Sequence, residues 1–241
     1  AHFELRQIVH RTMITAGLPE SMLAKAIETW ENALPPYLKL AYLPNPGAVR
    51  LRLSAYEVEG ESVSKEIERQ FEALRRIIPH NIIGYETATM QELIHKLLTE
   101  RRQTLATAES CTGGTIAARF TAMPGASAYF KCGVVAYSLD TKQEILQISC
   151  DTIARYGAVS EQVARQMAEG ARRISGADYA VSTTGIAGPA GSTAEKPVGT
   201  VWIAVAGPRR TVALLKQCGS DRGQIIDRAG AFALGLLRDE L

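Results

Sequence analysis

Three short segments hold the residue types from which a hydrolytic site could be assembled. In Ala108-Glu109-Ser110-Cys111-Thr112-Gly113-Gly114, hydroxyls, a thiol, a carboxylate and two glycines fall where a short apolar stretch, 104–108, gives way to a helical pattern. A helix N-terminus offers unpaired N–H groups and a positive dipole end, and glycine lets backbone come close to a phosphate or a developing oxyanion. The same residues would also serve as a plain N-cap, with Ser110 or Thr112 capping and the glycines allowing tight packing. The segment is not a Walker A loop, because no lysine follows the glycines, and it is not a GxSxG elbow. The second segment, 133–142, runs from a strand into a helix start and brings Tyr137, Ser138 and Lys142 together, although a lysine on a helix face is more often simply solvated. The third, Thr183-Thr184-Gly185-Ile186-Ala187-Gly188-Pro189-Ala190-Gly191, leaves a strand for a Gly/Pro loop that could equally be a bare connection. All three are predicted at carboxyl ends of strands, where ligands collect in open α/β sheets.

Histidine usage narrows the chemistry. The four histidines are His2, His10, His80 and His95, so everything after His95 lacks one. A Ser-His-Asp triad and a histidine-bearing metal site are therefore both excluded from that region. If Ser110 is a nucleophile, its base must be another group, and lysine is the plausible one. A free lysine titrates at roughly 10.4 and must lose much of that through burial or a neighbouring cation to act near neutrality. Lys142 is the candidate, with the Tyr137 hydroxyl as orienter or proton relay.

The elements that must position these groups divide the chain in two. At 241 residues, 46% hydrophobic and 22% charged, it has room for a domain of about 150 residues and a smaller one. Residues 1–86 carry 10 Lys+Arg against 11 Asp+Glu, and residues 87–241 carry 17 against 14. Neither balance is that of a nucleic-acid-binding surface. No apolar run of membrane-spanning length and no secretion signal is present, which predicts a cytoplasmic protein. Cys111, Cys132, Cys150 and Cys218 are widely spaced without a CxxC pair, as expected of reduced thiols rather than a zinc site or disulfide scaffold. The chain begins Ala1-His2 rather than with Met, as a processed piece would.

In residues 1–86, apolar spacing predicts amphipathic helices over 3–16 and 20–33, a hairpin of 37–42 and 49–53 turning at Pro44-Asn45-Pro46-Gly47, a helix over 61–78 and a short strand at 81–84. From Thr89 the pattern changes. A helix over 90–102 leads into the strand 104–108, after which strands at 133–138, 178–184, 199–206 and 211–217 alternate with helices at 113–122, 141–147, 160–175 and 222–238. The expected fold is an α/β sheet domain with helices packed on it, preceded by a small α+β module.

Taken collinearly, the segments resemble the C-terminal domain of the CinA (competence/damage-inducible) family, which also occurs alone as a nicotinamide mononucleotide deamidase. The matching residues are Ala108 to Gly114, Gly133-Val134-Val135 with Tyr137-Ser138 and Lys142, Tyr156-Gly157-Ala158-Val159-Ser160, Gly185-Ile186-Ala187-Gly188-Pro189, and Lys196-Pro197-Val198-Gly199-Thr200-Val201. The resemblance covers residues 90–241 almost without gaps. It implies an amidohydrolase that converts nicotinamide mononucleotide to nicotinic acid mononucleotide with release of ammonia, needing no cofactor and no metal. It carries the catalytic roles onto Ser110, Tyr137 and Lys142 and favours Ser110 over Cys111 as nucleophile. Substrate contacts would come from Cys111, Thr112, Gly113 and Gly114, from Gly185, Ile186, Ala187 and Gly188, and from Arg222, whose guanidinium suits a phosphate. Three positions depart from the family's usual residues: Ser220 for Gly, Asp140 for Asn and Ala136 for Thr.

Residues 1–85 resemble, less specifically, the KH-like module of long CinA proteins, which follows a molybdopterin-binding-like domain without counterpart in this sequence. No GxxG loop joins the helices, so RNA binding is not implied. A homodimer is expected from family precedent and from the apolar run Val201-Trp202-Ile203-Ala204-Val205. Two rival readings are a nucleotide-binding or regulatory module that has lost turnover, and a nucleic-acid-binding competence factor, against which the charge distribution argues.

Overall fold

The computed structural model describes residues 8–45, 48–56, 60–86 and 89–241, and the chain forms two compact units, 1–89 and 90–241. In the first, strands β1 (Ile8–Ala16), β2 (Leu38–Asn45), β3 (Ala48–Tyr56) and β4 (Ile82–Tyr85) make an antiparallel sheet of order β2-β3-β1-β4. Helices α1 (Glu20–Asn32) and α2 (Gly60–Ile77) bury Leu23, Ile27, Trp30, Val63, Ile67, Phe71 and Leu74 in a core shared with Met13, Leu51 and Leu53 of the sheet.

The helix expected over 3–16 is corrected. Residues 8–16 are the strand β1, paired with β3 from Ile8↔Tyr56 to Ala16↔Ala48. Its run IVHRTMITA holds Val9, Thr12, Ile14 and Thr15, β-branched side chains that lose rotamer freedom in a helix and fit a pleated sheet. Residues 3–7 lie outside the described residues, as do Pro46 and Gly47 of the expected turn; its flanks Asn45 and Ala48 pair across the hairpin.

The second unit opens with α3 (Met90–Arg101), followed by β5 (Leu105–Glu109), α4 (Thr115–Thr121), β6 (Phe130–Val135), α5 (Leu139–Glu144), α6 (Cys150–Tyr156), α7 (Glu161–Ser175), β7 (Tyr179–Gly185), β8 (Thr200–Ala206), β9 (Thr211–Gln217) and α8 (Arg222–Glu240). The sheet order is β6-β5-β7-β8-β9, with β6, β5 and β7 parallel and β8 and β9 antiparallel additions. Side-chain alternation along the strands divides the core between the two faces. Leu105, Val181, Val201, Ile203 and Val205 meet α3, α4 and α8, whereas Ala106, Ala108 and Ala180 meet Val163, Met167 and Ala171 of α7. The result is three layers, α/β/α, with β5 in the middle of the parallel part and all five of its residues buried.

The stretch around α5 departs from expectation. β6 ends at Val135 rather than 138, because Ser138 is the N-cap of α5 and its hydroxyl accepts from the Thr141 amide at 3.1 Å. Helix α6, not anticipated, is a single short segment over 150–156 with Ile153 buried. The run Val201 to Val205 is β8, an interior strand between β7 and β9, with Val201, Ile203, Ala204 and Val205 buried in the core and Trp202 partly exposed.

Candidate active site

The three chemistry-bearing segments do meet, at the carboxyl ends of β5, β6 and β7. Ser110 leaves β5 with its amide bonded to the Thr183 carbonyl of β7 at 2.9 Å, and the Ala136 amide bonds the Glu109 carbonyl at 2.8 Å. The end of β5 is thus pinned to both neighbours. Lys142, one turn into α5, points inward and is only 2% exposed. Its Nζ lies 3.0 Å from Ser110 Oγ, 2.6 Å from the Ala136 carbonyl and 3.3 Å from that of Tyr137. Loss of hydration on burial holds its ammonium below the usual lysine range.

Each predicted residue has a definite place. The Tyr137 side chain is exposed and its hydroxyl accepts from Arg222 Nη2 at 3.0 Å; the backbone carbonyl, not the hydroxyl, orients Lys142. Arg222 also donates through Nη1 to the Gly188 carbonyl at 2.7 Å, so one guanidinium joins the 137 and 188 loops. The Thr112 side chain is buried between Glu109 Oε2 and Thr183 Oγ1, each at 2.7 Å. The Cys111 side chain belongs to the apolar core, where burial pushes its thiol up to about 12, so a thiolate is disfavoured.

Of the four site glycines, Gly113, Gly114 and Gly188 adopt positive φ, and Gly185 and Gly188 are also held by packing. Gly113 and Gly114 both adopt positive φ, +62° and +96°, and a Cβ on Gly113 would meet nothing within 4 Å. Gly185 and Gly188 are required by packing, since a Cβ would come within 2.7 Å of the Thr200 carbonyl and 2.8 Å of Val198 respectively. Ile186 and Ala187 between them are buried, and the Ile186 amide and carbonyl are spent on the Thr200 carbonyl (2.9 Å) and the Gly199 amide (2.8 Å).

Sequence reasoning missed the part played by Glu109. Its carboxylate is fully buried and accepts from the amides of Gly114 (3.0 Å), Ile116 (3.1 Å) and Ala117 (2.8 Å) as well as from Thr112 Oγ1. The Gly113 amide bonds the Ser110 carbonyl at 3.1 Å. The helix end expected to receive a ligand's negative charge is therefore filled from within, and the neighbouring amides of Cys111 and Thr112 take no part in these bonds. An acidic residue alone in an otherwise uncharged buried strand was the available signal. Thr184, whose hydroxyl donates to the Ala158 carbonyl at 2.8 Å, and Lys196, which donates to the Tyr156 carbonyl at 3.1 Å, tie the 156–160 segment to the same rim. No group of three or more His, Cys, Asp or Glu side chains among the described residues is placed to hold a metal ion.

Fold and site together define a three-layer α/β domain with a lysine–serine pair sealed beneath the ends of parallel strands. Family profiles identify residues 87–241 as a CinA C-terminal domain and residues 10–84 as a damage-inducible protein CinA KH domain. The chain belongs to the CinA family. A CinA-like protein of Flavobacterium psychrophilum is 43% identical over 242 residues, covering 100% of this chain and 58% of that protein. One from Chlorobaculum tepidum is 44% identical over 199 residues, covering 83% and 47% respectively. The chain thus spans about half to three-fifths of the length of such relatives. Among solved structures, the competence/damage inducible protein of Agrobacterium tumefaciens is 39% identical with a TM-score of 0.60, covering 61% of this chain and 91% of that one. The CinA superfamily protein of Escherichia coli is 33% identical with a TM-score of 0.61, covering 63% and 88%. No helix among the described residues is long and apolar enough to cross a membrane.

Proposed function

We propose that residues 87–241 form an amidohydrolase that converts nicotinamide mononucleotide to nicotinic acid mononucleotide and ammonia, with Ser110 as nucleophile and Lys142 as its base. The observation that carries this reading is the 3.0 Å approach of Lys142 Nζ to Ser110 Oγ in a site where burial favours the neutral amine. A neutral amine has two hydrogens and one lone pair. The carbonyls of Ala136 and Tyr137 accept the two hydrogens, and the lone pair is left facing the Ser110 hydroxyl.

In this mechanism Ser110 Oγ attacks the carboxamide carbon while its proton passes to Lys142, and the carbonyl oxygen becomes an oxyanion held by the Cys111 and Thr112 amides. Collapse of the tetrahedral intermediate breaks the C–N bond, and Lys142 returns the proton to the departing ammonia. Water then attacks the acyl-serine ester as its proton passes to the same amine; the acyl C–Oγ bond breaks, Lys142 returns that proton to Ser110 Oγ, and the acid leaves as its carboxylate, releasing a proton to solvent. Arg222 is the natural partner of the 5′-phosphate, because its planar fork is exposed at the rim and already steered by Tyr137 and Gly188. Residues 1–86 are accessory to the chemistry. Self-association into a dimer and a cytoplasmic setting belong to the same reading and rest on the family resemblance.

The test is incubation of the chain with nicotinamide mononucleotide, with and without chelator, while ammonia and nicotinic acid mononucleotide are followed. Equal turnover in both arms, absent in Ser110→Ala, is the expected result. Turnover no higher than in Ser110→Ala would leave the chain a binding module, and activity lost to chelator and restored by one metal would overturn the serine–lysine scheme.

A further inference from the structure

The amides opening α4 would ordinarily receive a ligand's negative charge, yet here the chain supplies the anion itself. We propose that Glu109 is a positioning residue of this site: its carboxylate is the resident anion of the 110–114 turn and holds Ser110 Oγ in register with Lys142. The inference rests on the serine–lysine reading above.

An ordinary cap reaches the first-turn amides from the N-cap position, but the N-cap of α4 is Gly114, which has no side chain to offer. The acceptor comes instead from Glu109, at the near end of the turn, and its bonds to Gly114, Ile116 and Ala117 close a ring around the residues that carry the nucleophile. Within that ring the backbone contributes little of its own, namely Gly113 to the Ser110 carbonyl and Thr115 to the Thr112 carbonyl, both at 3.1 Å. Two successive glycines at positive φ would otherwise leave this turn loosely defined.

The hydroxyl chain fixes the direction of each bond. Both Glu109 oxygens act as acceptors, so Thr112 spends its single proton on Oε2 and must accept from Thr183 Oγ1. Glu109, Thr112 and Thr183 thereby link the end of β5 to β7 beneath Ser110. A second consequence concerns selectivity. A substrate phosphate brought to this helix end would face a carboxylate, and the like-charge repulsion steers it towards Arg222 instead.

The experiment compares wild type, Glu109→Gln and Thr112→Val by two readouts: steady-state kinetics with nicotinamide mononucleotide, and the rate at which a fluorophosphonate labels Ser110. In the labelling step Ser110 Oγ bonds phosphorus, the P–F bond breaks, fluoride leaves and the hydroxyl proton passes to Lys142, so no nucleotide is required. Glu109→Gln, which sets an NH2 against the amides, is expected to lower both kcat and the labelling rate by about 100-fold, the order expected for a misplaced reacting atom. Thr112→Val should lower both by about tenfold, and KM should stay within about twofold in each, because ground-state contacts are untouched. Folded variants that label at the wild-type rate would overturn the positioning role, and Thr112→Val decides alone should Glu109→Gln fail to fold. A wild-type chain that resists labelling would instead overturn Ser110 as the nucleophile, which separates the two failures.

Discussion

The two units handle charge in opposite ways. In the N-terminal unit a cleft of about 440 Å³ is lined by Arg11, Glu68, Phe71, Glu72, Arg75, Tyr85 and Glu86. Its ions pair with one another at the surface, Arg75 with Glu72 at 2.6 Å and Arg11 with Glu86 at 3.8 Å, and Arg75 also lies 5.0 Å over the Tyr85 ring. Such pairs stay solvated and contribute little energy in either direction. Two buried neutral groups of that unit are matched within it: Trp30 Nε1 donates to Gln70 Oε1 and Thr15 Oγ1 to the Val49 carbonyl, both at 2.9 Å. In the C-terminal unit Lys142 is buried with carbonyls and a hydroxyl around it and forms no ion pair, while Glu109 is buried against amides rather than cations. The telling feature is Lys142, desolvated beside carbonyls and a hydroxyl, because that burial disfavours the ammonium and moves the group towards its neutral, proton-accepting form.

The comparison is sharpened first by Ser110→Ala and Lys142→Ala. Each should reduce kcat with nicotinamide mononucleotide by about 10³-fold or more, since nucleophile and base act as a unit. Arg75→Ala in the N-terminal cleft should alter kcat/KM by less than about twofold, because its exposed pair is worth little; a comparable loss there would break the contrast. Next in size, Arg222→Ala should raise KM by about 10- to 100-fold through loss of a charge-assisted phosphate contact. Its effect should vanish with the phosphate-free nucleoside, and an equal effect on both substrates would remove the phosphate assignment.

The pH dependence is smaller at any one pH but decides the sign. Lys142 must be neutral to accept a proton, and desolvation lowers its titration point. The logarithm of kcat/KM should therefore climb with a slope of about one, tenfold per pH unit, and level off below the ordinary lysine range of about 10.4. A profile flat through that range, or falling as pH rises, would show that Lys142 is not the base. The smallest effects are expected from Cys111→Ala, which keeps the backbone amide, and from a chain beginning at Met90. Both should retain kcat within about threefold, the first because a buried protonated thiol does no chemistry and the second because a compact unit keeps its own core. A soluble but inactive 90–241 fragment would show that residues 1–89 complete the site.

Much of this was legible in the sequence because it is local. Apolar period placed α7, α8, β7, β8 and β9 within a few residues, the absence of histidine after His95 excluded a Ser-His-Asp triad and a histidine-bearing metal site there, and the strand-to-turn transitions marked the segments of Ser110, Lys142 and the 185–188 loop, which meet in the fold. The helix expected over 3–16 failed because a window of mixed apolar and polar residues satisfies both periods, and pairing with β3 decided between them. What only the tertiary structure could decide were the partners. That Lys142 turns inward, that Tyr137 orients it through a carbonyl while its hydroxyl serves Arg222, and that Glu109 occupies the helix end all depend on three strand ends arriving side by side. A sequence states which groups are present. Their protonation and direction follow from which neighbours surround them, and at this site hydrogen-bonded partners stand as far apart along the chain as Tyr137 and Arg222, 85 residues.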